Sequence, residues 1–129
     1  MKKKVMIFPC SGIGKVCGSI ARDAAKYVID SRENAEGPCL ALLTTGDEET
    51  VAKVKENPSI TIDGCPKTCA MKNVEKNSGS VIKNIMVMDY MKKYKELKPG
   101  TVTDTGVDGK KLSGLIAEDI FEIIKGLEA

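Results

Sequence analysis

Val5-Met6-Ile7-Phe8-Pro9-Cys10-Ser11-Gly12-Ile13-Gly14-Lys15 passes from a strand to a tight turn in a few residues. Val5 to Phe8 is an apolar run behind a lysine cluster and reads as a buried first strand, which Pro9 stops. Cys10 to Lys15 forms a Gly-rich turn. Behind it Val16, Ile20, Ala24, Val28 and Ile29 recur at helical spacing.

The alternation continues outward from that unit. Asn34 to Pro38 reads as a loop and Cys39 to Leu43 as the second strand. Asp47 is an N-cap with Glu48 and Glu49 suiting the helix dipole, and Asn57-Pro58 ends that helix. Ile60-Thr61-Ile62 is β-branched and gives the third strand. Asp63-Gly64 then turns the chain, Pro66 takes the first helical position, and Gly79 stops a helix that runs to about Asn77.

Val81 to Met88 reads as a fourth strand whose length and apolar character suit an inner or well-covered position. Met91 to Lys98 suggests a short helix, and Pro99 to Gly109 a loop or a short edge strand near Val102. The last helix carries Leu112, Leu115, Ile116, Ile120, Ile123, Ile124 and Leu127 on one face.

Strands alternating with helices predict a three-layer α/β domain, Rossmann-like or flavodoxin-like, with a mostly parallel sheet. Right-handed crossovers favour the order 2-1-3-4. The chain of 129 residues is read as one domain over 1–129. In such sheets ligands sit beyond the carboxyl ends of the strands, where the strand order reverses. That crevice lies between the first and third strands, and Cys10 to Lys15 and Asp63 to Cys69 are its loops.

Composition narrows the chemistry. The chain is 42% hydrophobic and 29% charged, which suits a globular domain, and its formal net charge of +2 is too small to call for nucleic acid or an anionic membrane. No apolar stretch is long enough for a signal sequence or a membrane span, so a cytoplasmic protein is expected. There are five Cys and no His. Catalysis by a histidine base is excluded, and so are mixed Cys/His zinc sites. In a reducing compartment an odd set of cysteines fits metal or redox chemistry better than disulfide stapling.

Cys65-Pro66-Lys67-Thr68-Cys69 holds two thiols four residues apart. With Pro66 opening the helix, Cys65 becomes the N-cap and Cys69 stands one turn in on the same face. Free N–H groups and the dipole at a helix N-terminus favour the thiolate at Cys65. Cys10 also follows a strand and precedes a helix. Two neighbouring strand ends, each delivering a thiolate, make a soft-metal cradle suited to zinc or, second, to an iron–sulfur cluster. The alternative for each cysteine is a small buried hydrophobe. Cys17, on the helix, is read that way. So is Cys39, which would begin the second strand at the end opposite Cys10.

Other motifs fall short. A phosphate loop of the Walker type needs Gly where Pro9 stands and a hydroxyl where Val16 stands. A dinucleotide fingerprint needs Gly at Cys17. Asp63 is read as a helix cap first and a metal ligand second. The Lys92 to Lys98 cluster is a solvated face, and the methionines, Met86 and Met88 among them, fill the core.

Ile62-Asp63-Gly64-Cys65-Pro66-Lys67-Thr68-Cys69-Ala70 resembles the signature of the DGC-domain family, and Pro9-Cys10-Ser11-Gly12-Ile13-Gly14 is similar to its N-terminal motif. Cys39-Leu40 matches a further cysteine position of that family. The resemblance covers Lys4 to Gly79 well and the last third less distinctly. It implies zinc held by four cysteines, here Cys10, Cys39, Cys65 and Cys69, and no settled activity.

The leading expectation is a metal–thiolate binding protein with Zn²⁺ as its ligand and no nucleic-acid or membrane partner. The alternative is a thiol-redox or sulfur-handling enzyme with Cys65 as nucleophile and Cys69 or Cys10 as the resolving thiol. A third reading is an accessory protein with a structural metal. Whether the chain is an enzyme stays open at this stage.

Overall fold

The strand beginning at Val5 is covered on both sides. β1 (Val5–Pro9) buries Val5, Met6, Ile7 and Phe8 completely, as an inner strand of a parallel sheet requires. The computed structural model describes residues 4–9, 16–37, 40–64, 68–77, 79–100 and 105–128.

Behind β1, α1 (Val16–Ser31) buries one stripe, from Gly18 to Ala21, then Ala24, Ala25 and Val28. β2 (Ala35–Glu36) follows it, parallel to β1. α2 (Leu40–Thr44) and α3 (Glu48–Glu56) cross back to β3 (Pro58–Asp63), which pairs parallel with β1 on its other side. α4 (Cys69–Lys76) leads to β4 (Ser80–Met86), parallel to β3. α5 (Val87–Lys93) and α6 (Gly106–Glu128) complete the chain. The sheet is all parallel with order β2-β1-β3-β4, as the alternation of the sequence predicts.

Right-handed crossovers place α1 on one face and α2, α3 and α4 on the other. The packing agrees. α1 lies against α5 and α6, while α2 packs on α3 and α4, and α4 on β3 and β4. Leu112, Ile116, Ile120 and Ile124 form the fully buried stripe of α6. Leu115, Ile123 and Leu127 flank it, only partly covered. Ser113 Oγ donates to the Ile20 carbonyl of α1 at 3.2 Å. Among the described residues no helix is long and apolar enough to cross a membrane.

Four local expectations are corrected. Cys39 to Leu43 is not the second strand: Leu40 to Thr44 is helical, and the strand is Ala35–Glu36, inside the stretch read as a loop. A short apolar run carries no period that separates helix from strand. The fourth strand is an edge rather than an inner strand, and it ends at Met86. Its Ser80, Ile82 and Lys83 are exposed, so its apolar content exceeds what it buries. The helix placed at Met91 to Lys98 begins earlier, at Val87, and ends at Lys93. The helix after the third strand begins at Cys69, with Thr68 as its cap, not at Pro66. The edge strand suggested near Val102 lies outside the described residues.

Candidate functional site

β1 and β3 run side by side, with Pro9 paired to Ile62, so their carboxyl ends reach the same edge of the sheet. The strand order reverses at β1, and this is the edge where an open α/β sheet takes its ligands. Cys10 is bonded to Pro9 and Cys65 to Gly64. Cys10, Cys39 and Cys65 themselves lie outside the described residues. Of the expected ligands, Cys69 is described. It opens α4 with an exposed side chain and a free thiol.

Asp63 fixes where α4 starts. It ends β3 with no exposed surface. Its Oδ1 accepts from Ala70 N at 2.9 Å and its Oδ2 from Met71 N at 3.3 Å. These are free N–H groups of the first turn of α4, capped from the end of a strand rather than from the cap residue. Asn84 Nδ2 of β4 donates to the same Oδ2 at 2.8 Å and to Thr61 Oγ1 at 2.7 Å. Both carboxylate oxygens are thus engaged, and the capping role holds over the ligand role.

The bonds from Asp63 explain the late helix start. Ala70 and Met71 are held as the second and third helical residues, so Cys69 is the first. Thr68 before it is left-handed, with φ 50° and ψ 49°. That conformation is costly for a β-branched residue and is the kind of strain found beside functional sites.

Gly64 has a different task. A Cβ built there would stand 3.0 Å from Cys17 Cβ, 3.0 Å from the Cys17 carbonyl carbon and 3.1 Å from Gly18 N. The start of α1 presses directly on the turn after β3, so a side chain there would require the backbone of α1 to give by a few tenths of an ångström. Cys17 is therefore placed at this edge. It is half-buried, and its Sγ lies 3.5 Å from Met91 Sδ of α5. Cys17 packs against the hydrophobic core, as the sequence reading has it; its place beside Gly64 is what helical spacing alone does not assign.

A third element joins them. Thr44 Oγ1, at the end of α2, donates to Asn73 Oδ1 of α4 at 3.3 Å, and Asn73 Nδ2 donates to the Cys69 carbonyl at 2.9 Å. The helix that follows Cys39 in the chain thus packs on the helix that Cys69 opens. The objection that Cys39 begins a strand at the wrong end falls with the strand itself. Among the described residues no group of three or more Cys, Asp or Glu could hold a metal. A groove of ≈ 410 Å³ lined by Asp23, Tyr27, Lys110, Ser113 and Gly114 holds no sulfur.

A family model described as the DGC domain matches residues 6–118. The chain belongs to the DGC domain family. No curated protein and no solved structure is significantly similar to it. In this DGC domain the first two letters of the motif have separate physical jobs. Asp63 anchors α4 from within the sheet, and Gly64 admits the start of α1. Asn84, which orients Asp63 from β4, had no signal in a single sequence, since it stands 21 residues beyond Asp63 and belongs to no motif.

Proposed function

We propose that this DGC domain is a metal–thiolate binding protein, with Zn²⁺ held by Cys10, Cys39, Cys65 and Cys69. The observation that carries the reading is the meeting of β1, β3 and α4 at one edge. The residue after β1 and the residue after Gly64 are cysteines, and Cys69 opens α4 with its thiol exposed.

The donor set suits the ion. Zinc takes four thiolates readily, and no histidine competes. Zinc with four thiolates carries net −2, and the amino ends of α1 and α4, both at this edge, offset part of that charge. Asp63 is spent on α4, so its role is to hold Cys69 in place rather than to ligate. Zinc supplies a closed cross-link when held by four cysteines, and an open coordination position when held by three.

Metal analysis of the full chain, purified without added metal, tests the reading. About one zinc per chain is expected, with the four thiols protected from alkylation until a chelator is added. Cys69→Ser should release most of that zinc while the fold stays intact. Less than ~0.2 zinc per chain, with thiols reduced and the protein folded, overturns the reading. A metal-free Cys65 that alkylates readily below about pH 7 favours the thiol-redox alternative instead.

A further inference from the structure

The outer face of α6 has no part in the zinc reading. Val107, Lys110, Gly114, Glu118 and Phe121 recur at intervals of three and four, so they share one stripe about 80° wide on the helix. The stripe borders the groove between α1 and α6, whose walls include Asp23, Tyr27, Lys110 and Gly114. Val107 is 72% exposed and Tyr27 56%, large values for apolar and aromatic side chains. Lys110 and Glu118 are also exposed, and neither has an ion-pair partner among the described residues. We propose that this stripe is the contact surface of a two-fold dimer, in which α6 of a second copy crosses α6 antiparallel at Gly114.

The stripe is complementary to itself about Gly114, which is why the occupant is a second copy. A two-fold axis through Gly114 sets residues equidistant from it opposite each other. Lys110 and Glu118, each four residues away, then meet as an opposite-charge pair, and the pair occurs twice. Val107 and Phe121, each seven residues away, meet as an apolar pair, also twice. A parallel arrangement would set Lys110 against Lys110 and Glu118 against Glu118, so charge selects the antiparallel one. Gly114 supplies the close approach. Glycine weakens a helix interior relative to alanine, and a Cβ there meets nothing within 4 Å, so no neighbour in this chain requires the gap. A second helix does, because the distance between two crossing helices is set by the side chains at their contact. The apolar end of the stripe is held ready. The Phe121 ring stands 5.8 Å from the Tyr27 ring and 5.4 Å from the Arg32 guanidinium, so little ordering is left to be done on docking.

The test is analytical ultracentrifugation of the full chain, as purified and with a reductant present to exclude disulfide-linked pairs. One helix face is smaller than a standard interface, so the expected dissociation constant is about 10–100 µM. Lys110→Glu sets Glu against Glu118 at both contacts, and Glu118→Lys sets Lys against Lys110. Each should raise the dissociation constant at least about tenfold. An equimolar mixture of the two single variants should pair again with the parent's affinity, since every charge then faces its opposite. Gly114→Leu should also dissociate the dimer, while its Tm at about 1 µM, where the chain is monomeric, does not fall. If Gly114→Leu fails to fold, the two exposed charge variants and their mixture still decide. The proposal is overturned if the parent chain stays monomeric up to about 500 µM. It is equally overturned if the charge reversals leave a dimer intact, or if the mixture does not pair. Zinc per chain is measured on every sample and should not change, so failure of the zinc reading and failure of this one give different results.

Discussion

Gly64 and Thr68 carry the strain of the site, in opposite ways. The atoms that a Cβ at Gly64 would meet are backbone and Cβ atoms of α1, not the far end of a flexible side chain. They cannot swing aside, so Gly64→Ala should push α1 away from the turn and cost about 1–3 kcal/mol, read by urea denaturation. Gly114 is the control. A Cβ there meets nothing within 4 Å, so the same substitution in α6 leaves stability unchanged or raises it. Thr68 pays for a left-handed backbone that glycine adopts freely. Thr68→Gly should stabilise the protein by about 1 kcal/mol, or about 4 °C in Tm for a domain of this size. Loss of stability in that variant would show that the Thr68 side chain earns its position by what it touches.

At the scale of elements, capping governs where helices begin. Asp47 caps α3 in the ordinary way, accepting from Thr50 N at 3.1 Å and Thr50 Oγ1 at 2.8 Å. The Thr50 side-chain bond, then its backbone bond, hold the Asp47 carboxyl below its usual 3.8. A carboxyl lowered on folding adds stability above its unfolded value, and that contribution is lost as pH falls through the folded value. Asp47→Asn should therefore flatten the acid limb of stability below about pH 4, as seen by thermal melts across pH. Asp63 caps α4 from a distance. An amide at Asp63 must point its NH₂ at a donor whichever way it turns: Ala70 N–H on the Oδ1 side, or Met71 N–H and Asn84 Nδ2 on the Oδ2 side. Asp63→Asn should cost about 1–3 kcal/mol by denaturant unfolding and loosen amide protection in the first turn of α4.

These two caps show what a sequence makes legible. Asp47 has its acidic first turn and its partner three residues on, all local, and both helix ends are placed correctly from the residues alone. The start of α4 is not local. Pro66 is a good first helical residue by itself, but the bonds between Asp63 and Ala70 and Met71 set the start at Cys69. β2 was missed for a simpler reason: Ala35–Glu36 is too short to show an alternation. The strand order and the edge that gathers the motifs were readable, because connection handedness depends only on the sequence of elements. The Gly64–Cys17 contact was not, because it joins a turn to the start of a helix that no spacing relates to it.

For the whole molecule the question is what a bound metal adds to a fold that already has a core. β1 is buried from Val5 to Phe8 and β3 along its whole length, and α1 and α6 close over one face with Ile20, Ala24, Leu112, Ile116 and Ile120 fully covered. A core of this extent does not need a metal to form, unlike a zinc finger. Zinc held by the proposed ligands Cys10, Cys39, Cys65 and Cys69 would instead tie together the segments that carry them. Metal binds the folded state alone, so it adds about 2.7 kcal/mol when free metal is a hundred times its dissociation constant. Chelation should accordingly lower Tm by several degrees while far-UV circular dichroism at 25 °C stays unchanged. Hydrogen exchange should localise the loss. Amides in the first turns of α1 and α4 should exchange faster without metal, while those of β1 and β3 keep their protection, because the sheet is held by burial and the edge by the ion. Collapse of the dichroism spectrum on chelation would instead make the ion a prerequisite of folding, and the core described above would not be sufficient.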